Sequence, residues 1–305
     1  MSIPTESYEA IFEQYSAAIK WMDDLGVKLN PGRTSHYERV LRYWKDAYKT
    51  ASVDEWRKIC PDIFSSVFEV HDFVNIHRAF RNLPPNQLVS IVDKLQKGVN
   101  GPINVADETP QSTADRNYLF EVSVAAKAHR PEKGVEAILD SRSDTGIRIA
   151  GKKIWIECKR VTTFDKIERN VRDASRQLQK VFNKEVGSGH RGIVAIDISK
   201  VLNSGSKIFV ATDDDELLAS VNHMMDEFIA QYSGIWQDIY KRRHRKVIGT
   251  IFRLTFMSSS KARNIPVYTS QWAMNPRLGI AASDELIQRQ LVDLLRSEEH
   301  TSELQ

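Results

Sequence analysis

The spacing of apolar residues along the first hundred positions predicts helices. Within each segment apolar side chains recur every three or four residues, which is the period of one helical face. Asn30-Pro31-Gly32 and Leu83-Pro84-Pro85 interrupt the pattern, because proline and glycine favour turns. We therefore expect an all-helical N-terminal region over residues 1–100. Its helices are predicted at Tyr8–Leu25, Ser35–Tyr48, Val53–Ile59, Pro61–Arg81 and Asn86–Lys97.

The pattern changes after the segment Gly98–Thr113, whose Gly-Pro and Thr-Pro pairs predict a linker at 101–114. Helical and strand periods then alternate, which predicts an α/β domain over 115–295. Its element order is α-β-β-β-α-β-α-β-β, a mixed β-sheet flanked by helices. The helices are Asp115–His129, Asp165–Lys184 and Asp213–Lys241, and the strands are Gly134–Leu139, Gly146–Ile149, Lys153–Val161, Gly192–Ser199, Val247–Met257 and Pro266–Ala273.

Composition places the chain in a broad class and adds little to the pattern. With 305 residues, 41% hydrophobic and 27% charged, it is typical of a globular protein. No apolar run is long enough for a transmembrane helix, and the N-terminus lacks the pattern of a signal peptide. Two cysteines, Cys60 and Cys158, make no disulfide framework. We expect a cytoplasmic protein with no membrane partner.

The last ten residues differ in character from the rest of the chain. Residues 296–305, RSEEHTSELQ, follow the amphipathic run DELIQRQLVDLL. They resemble the translation of a common sequencing-library adapter. We therefore expect them to be an artefactual tail that takes no part in the fold.

The strand Lys153–Val161 carries charges on one face. Side chains alternate along a strand, so Trp155, Glu157 and Lys159 share one face, while the opposite face is apolar. Charged residues within an interior strand are costly unless they pair or bind an ion. The alternative is an exposed ion pair on an edge strand, which contributes little to stability.

A second carboxylate precedes the partner strand of the same hairpin. Asp144 comes just before Gly146–Ile149, and the turn at Ala150-Gly151 folds that strand back towards Glu157. Two carboxylates suit Mg²⁺, which keeps water ligands for a substrate phosphate. Lys159 can stabilise the charge that develops on such a phosphate. The alternative for Asp144 is a residue that only initiates a turn.

Asp144, a hairpin and then Glu157-Cys158-Lys159 resemble the PD-(D/E)XK nuclease superfamily, the fold of many restriction endonucleases. The resemblance covers about residues 115 to 200 and includes the α-β-β-β-α-β order. It implies that Asp144, Glu157 and the main-chain carbonyl of Cys158 bind Mg²⁺, which Mn²⁺ can replace. It also implies that Lys159 is the catalytic lysine. The chain departs from the name-giving motif at Ser143, where the motif has proline.

Two helix residues extend this resemblance. Glu121, in the helix before the hairpin, matches an additional glutamate that serves many members as a further metal ligand. Gln177, in the following helix, matches a glutamine that some subfamilies place near the scissile phosphate. The alternative to a functional role is a solvent-exposed helix position for Glu121, and for Gln177 a position at the edge of the apolar helix face.

Positive charge is concentrated beside these strands. From Arg148 to Lys180 ten Lys and Arg face four Asp and Glu, a local net charge of +6 within a chain of +3. One face of the predicted helix Asp165–Lys184 carries basic residues, and a run of basic residues closes the predicted helix Asp213–Lys241. Both predict contacts with nucleic-acid phosphates. The alternatives are a solvated helix face and a cationic helix end. The predicted contacts are Arg160, Arg169, Arg172, Arg176, Lys180, Arg242, Arg243 and Arg245.

The sequence therefore predicts a restriction-endonuclease-like domain that hydrolyses phosphodiester bonds with Mg²⁺. The resemblance favours double-stranded DNA as the substrate and is compatible with restriction, mobile-element or phage-defence roles. The N-terminal helices suit DNA reading, a homodimer interface or a partner site. The alternative is a non-catalytic nucleic-acid-binding or interaction protein on the same fold, in which Asp144, Glu157 and Lys159 need not converge.

Overall fold

The N-terminal helices pack around a continuous apolar core. The computed structural model describes residues 6–29, 32–109, 112–139, 143–187, 189–203, 207–243, 245–261 and 267–296. Tyr15, Tyr37 and Phe73 are buried at the centre of this core, as the helical spacing predicts. The helices are α1 (Tyr8–Asp24), α2 (Arg33–Ala47), α3 (Val53–Phe80) and α4 (Val89–Gly98).

Helix α3 is continuous, whereas the sequence predicts two helices that meet at Pro61. The prediction was wrong because the missing N–H of a proline removes one helical hydrogen bond without ending the helix. A capping box between Ser52 and Glu55 fixes the start of α3. The buried residues between Ile63 and Phe80 then hold the rest of the helix against the core.

A seven-stranded mixed sheet follows in the part of the chain that the structure describes. The strand order is β1-β2-β3-β4-β6-β5, and β7 also pairs with β6. β1, β2 and β3 are antiparallel, β3, β4 and β6 are parallel, and β7 is antiparallel to β6. The strands are β1 (Glu136–Ala137), β2 (Thr145–Ile149), β3 (Lys152–Arg160), β4 (His190–Asp197), β5 (Ile208–Ala211), β6 (Val247–Ser260) and β7 (Val267–Pro276).

Helices cover both faces of this sheet. Helix α6 packs beside Trp155 with α8 and α9, and α5 packs with α10 over the face that carries Ile154 and Ile156. The predicted α/β class with a helical N-terminal region is therefore confirmed. The helices are α5 (Thr113–Ala128), α6 (Ile167–Lys184), α7 (Ser199–Leu202), α8 (Asp214–Gln231), α9 (Ser233–Asp238) and α10 (Ala282–Arg296).

Several predicted elements differ from the structure. The single helix predicted at Asp213–Lys241 is broken at Tyr232 into α8 and α9, and a π-helical turn, Ile239–Arg243, follows. The strand predicted at Gly134–Leu139 is reduced to β1, and α7 and β5 were not predicted. The tail 297–305 and the Asn30-Pro31 pair lie outside the described residues.

The segment 101–109, where the sequence predicts a linker, packs against the folded chain. The Tyr37 hydroxyl donates a hydrogen bond to the carbonyl of Ile103 at 2.7 Å. The Glu108 side chain is fully buried. The core of the N-terminal helices also includes Leu119 of α5 and Met257 of β6. The N-terminal helices therefore share their apolar core with α5 and one residue of β6, while two further apolar clusters lie on the two faces of the sheet.

Candidate active site

The register of the β2–β3 hairpin determines where Asp144 lies. Thr145 pairs with Ile156, so the preceding residue, Asp144, falls opposite Glu157. Ala150 and Gly151 form the turn with φ angles of 48° and 71°, both in the left-handed region that a two-residue hairpin turn needs. The Cys158 main-chain N–H donates a hydrogen bond to Asp144 Oδ2 at 2.8 Å. The predicted convergence of Asp144 and Glu157 is thus present.

Lys159 lies between the two carboxylates. Its Nζ is 3.4 Å from Asp144 Oδ2 and 3.9 Å from Glu157 Oε2. The Lys159 and Asp144 side chains are 21% and 20% exposed, whereas that of Glu157 is only 3% exposed. The cluster is therefore reached from solvent past Asp144 and Lys159, and Glu157 forms its floor.

Close packing holds the hairpin beside this cluster. Gly146 pairs with Trp155, and a Cβ at Gly146 would lie 2.9 Å from Trp155 Cε3. This distance is shorter than a normal van der Waals contact, so the Trp155 ring can cross the hairpin only over a glycine. The ring lies on the face of β3 that α6 covers, in the same buried cluster as Val171 and Leu178. Trp155, which the alternation places on the face of Glu157 and Lys159, thus makes the start of that face apolar.

Burial and mutual repulsion disfavour the charged forms of the carboxylates. Burial, followed by the negative charge of Asp144, raises the pKa of Glu157 above its ordinary value. The same two causes, in the same order, raise the pKa of Glu121. Glu157 Oε2 is inaccessible and accepts no hydrogen bond from the described residues. A positive charge beside this oxygen would compensate for the buried negative charge.

Glu121 reaches the same cluster from α5, together with a lysine that the sequence did not predict. Lys94 of α4 places Nζ 2.7 Å from Glu121 Oε2 and also donates a hydrogen bond to the main-chain carbonyl of Asp144. The only sequence signal for Lys94 is its position beside the buried helix face formed by Ile91 and Leu95. A charged residue at such an edge is ordinary, so the pattern could not single it out.

Cys158 and Gln177 occupy different environments. The Cys158 side chain is buried among apolar residues, and burial raises the pKa of its thiol. Its main chain lies beside Asp144, as the hydrogen bond above requires. Gln177 is exposed on α6, whose opposite face packs on the sheet. Neither position tests the role that the resemblance implies.

Arg160 is buried, which differs from the predicted surface contact with nucleic acid. Its Nη1 lies 2.6 Å from Glu108 Oε1, and the two side chains are 8% and 0% exposed. Asp197 Oδ2 lies 3.6 Å from Arg160 Nε on the other side. The segment 101–109 brings Glu108 over the end of β3, so the Arg160 side chain is engaged inside the fold and does not lie at the surface.

The other predicted basic contacts are exposed where the structure describes their side chains. Arg169, Arg172 and Arg176 are 82%, 42% and 55% exposed and form ion pairs with Glu168 or Asp173 on their own helix. Lys180 and Arg245 are also exposed. Arg242 and Arg243 lie in the π-helical turn at the end of α9. The basic face of α6, defined by Arg169, Arg172, Arg176 and Lys180, is thus open to solvent.

The residues present fit a divalent cation with few protein ligands. Among the described residues, no group of three or more His, Cys, Asp or Glu side chains is arranged to hold a metal ion. Mg²⁺ needs fewer, because it commonly binds through one or two carboxylates and keeps water and substrate phosphate as its other ligands. Asp144 and Glu157 supply those two carboxylates, and Glu157 Oε2, which has Lys159 at 3.9 Å but accepts no hydrogen bond from the described residues, is an oxygen that a cation would satisfy.

Comparisons with protein-family models, curated proteins and solved structures give no match to this chain. Among the described residues, the structure has no helix long and apolar enough to cross a membrane. The function must therefore be inferred from the geometry of the site.

Proposed function

We propose that the chain is a Mg²⁺-dependent nuclease with a restriction-endonuclease-like domain, which hydrolyses phosphodiester bonds of double-stranded DNA. Mn²⁺ would replace Mg²⁺. The observation that supports this proposal is the β2–β3 register, which sets Asp144 opposite Glu157 with Lys159 Nζ within 4 Å of both. An exposed ion pair on an edge strand does not account for this arrangement, because Glu157 is buried and β3 is an interior strand.

Each side chain has a distinct task in the proposed reaction. Asp144, Glu157 and the Cys158 carbonyl would hold the cation. When bound, the cation polarises the phosphate and lowers the pKa of the attacking water. Lys159 donates hydrogen bonds to the phosphate oxygens and stabilises the negative charge that develops on them. Glu121 adds negative charge at the side of the centre. Gln177, on the exposed side of α6, would contact the DNA backbone outside the cluster.

Substrate binding is assigned to the exposed basic surfaces. Helix α6 follows β3 in the chain after a short turn and packs on the sheet by its apolar side, so its basic face presents positive charge to solvent. Such a face binds the phosphate backbone without reading sequence, so its affinity falls steeply with salt. Arg245 and the neighbouring basic run provide a second contact of the same kind.

Plasmid cleavage tests the proposal. Purified protein with Mg²⁺ should nick or linearise plasmid DNA, and EDTA should stop the reaction. Asp144→Ala and Lys159→Ala should each lower the cleavage rate by at least about 100-fold, the cost of losing one charge-stabilising group. Lys166→Ala, which removes a charge outside the cluster, is the matched control and should keep the rate.

Retention of DNA separates catalysis from binding. Both inactive variants should still shift a DNA duplex in a gel, because the exposed basic surfaces are unchanged. Undiminished cleavage by both variants would reject the assigned site. DNA binding by the wild type with no cleavage under any divalent cation would favour the non-catalytic nucleic-acid-binding alternative.

A further inference from the structure

Lys94 connects the N-terminal helices to the candidate active site. Helix α4 packs on α5, and from there Lys94 places its ammonium between Glu121 Oε2 and the carbonyl oxygen of Asp144. The Lys94 and Glu121 side chains are only 18% and 10% exposed. The ammonium therefore stands in a confined, largely dehydrated position between two oxygen ligands.

Oxygen atoms in such a position are also the ligands of a hard divalent cation. A carboxylate from one element and a main-chain carbonyl from another are two of the six or more oxygen ligands that such a cation takes. In this structure a fixed positive charge from the protein already satisfies both oxygens. Glu121 thus pairs with Lys94, whereas the carboxylates of Asp144 and Glu157 lie within 4 Å of Lys159.

The charge balance agrees with a single metal ion. When a bound cation keeps all three carboxylates (Glu121, Asp144 and Glu157) ionised, they face two lysines (Lys94 and Lys159), which leaves one negative charge. One divalent cation would bring the cluster to one positive charge, which a substrate phosphate neutralises. A second divalent cation would leave a large excess of positive charge within a few ångströms of Lys94, which is unfavourable in a partly buried site.

We propose that Lys94 takes the place of a second metal ion, so that the centre binds one divalent cation and α4 supplies part of the active site. The inference rests on the proposed function, since it assumes that Asp144 and Glu157 bind a cation. It goes further by fixing the stoichiometry and by assigning a role to a residue of the N-terminal helical region.

Mn²⁺ binding measured by electron paramagnetic resonance and calorimetry, with no substrate present, tests the inference. The wild type should bind one tight Mn²⁺ and give no spectrum of a spin-coupled pair. Lys94→Met, which keeps the length of the side chain and removes its charge, should bind two, the second at least about tenfold tighter than any second ion in the wild type. Lys97→Met is the matched control: Lys97 lies on the same helix, 46% exposed and 2.6 Å from Asp93, and its variant should bind one.

A second variant assigns the extra ion to Glu121. Lys94→Met combined with Glu121→Gln should return the stoichiometry to one, because the added metal site then lacks its carboxylate. Circular dichroism establishes that each variant is folded before its binding is measured. If Lys94→Met fails to fold, Mn²⁺ binding to the wild type still tests the inference, because the inference requires one bound ion and the spectrum of an uncoupled ion.

The possible results separate this inference from the proposed function. No tight Mn²⁺ in the folded wild type would overturn the metal-dependent function itself. Two ions in the wild type would leave that function standing and overturn the role of Lys94. A folded Lys94→Met variant that still binds one ion would overturn it as well.

Discussion

The contact between Arg160 and Glu108 leads to a prediction about how the segment 101–109 supports the site. The pair is bidentate, with Nη1–Oε1 and Nη2–Oε2 distances of 2.6 and 3.2 Å. Lys200 Nζ lies 3.5 Å from Glu108 Oε2, so one buried carboxylate compensates for two cations. Arg160 follows Lys159 directly in β3. Loss of Glu108 should therefore disturb the strand at the point where it carries the candidate lysine.

Glu108→Gln keeps the size of the side chain and removes its charge. Breaking a buried ion pair by removing one partner costs about 3–5 kcal/mol, because an uncompensated charge stays buried. In this variant Arg160 Nε still has Asp197 Oδ2 at 3.6 Å as a partner. The free energy of unfolding should therefore fall by an amount near the lower end of that range, about 3 kcal/mol. Glu168→Gln makes the same change in an Arg–Glu pair that is 42% and 55% exposed, where an i,i+4 pair is worth only about 0.3–0.5 kcal/mol.

Urea unfolding measures both variants on one scale, since equal slopes show that a shifted midpoint reports stability. The free energy of unfolding should fall by at least about 2 kcal/mol more in Glu108→Gln than in Glu168→Gln. Adding Arg160→Met to Glu108→Gln should recover part of the lost free energy of unfolding, because the apolar side chain removes the buried Arg160 charge that Glu108 no longer compensates. A loss below about 1 kcal/mol in Glu108→Gln would refute this prediction and indicate that segment 101–109 is a loosely attached linker.

Further predictions concern packing, pH and salt. Gly146→Ala should lower the free energy of unfolding by about 1–3 kcal/mol in urea, because its Cβ would overlap the Trp155 ring; an unchanged midpoint would contradict the packing described. Burial raises the pKa of Glu69, but Arg116 and Arg33 outweigh this effect and lower it below 4.5. The stability that Glu69 contributes is thus present above pH 4.5 and lost as pH falls through the lowered pKa, so Glu69→Gln should unfold with a shallower pH dependence below pH 4.5. Neutralising the basic face of α6 should reduce the salt slope of DNA binding by about 0.9 for each phosphate that the variant no longer neutralises, and an unchanged slope would place the DNA elsewhere.

The candidate residues on one strand could be predicted because strand geometry is local. Alternation alone places Glu157 and Lys159 on one face of β3, and the two-residue turn at Ala150-Gly151 predicts the hairpin. The exact pairing could not be predicted, since a slip of one residue would keep a plausible hairpin while moving Asp144 away from Glu157. The structure supplies that register.

Other elements depend on partners that are distant in the chain. The four residues of β5 form a strand because they pair with the far end of β6, whose 14 residues extend beyond β4. Pro61 is a helix breaker by local rules, yet α3 continues through it, because the buried face that follows holds the helix in place. Local propensity is outweighed by tertiary packing in both places.

Separation along the chain also explains why only some residues of the site could be predicted from the sequence. The hairpin residues lie close together in the chain, so their spacing carries information about their geometry. Lys94 lies 50 residues before Asp144 and reaches it only because α4 packs on α5. Glu108 lies 52 residues before Arg160 and is brought to it by a segment that resembles a linker. The carboxylates and Lys159 belong to the hairpin and α5, but the charges that fix their surroundings come from the N-terminal half of the chain. A variant that loosened α4 should therefore change metal binding without altering any ligand.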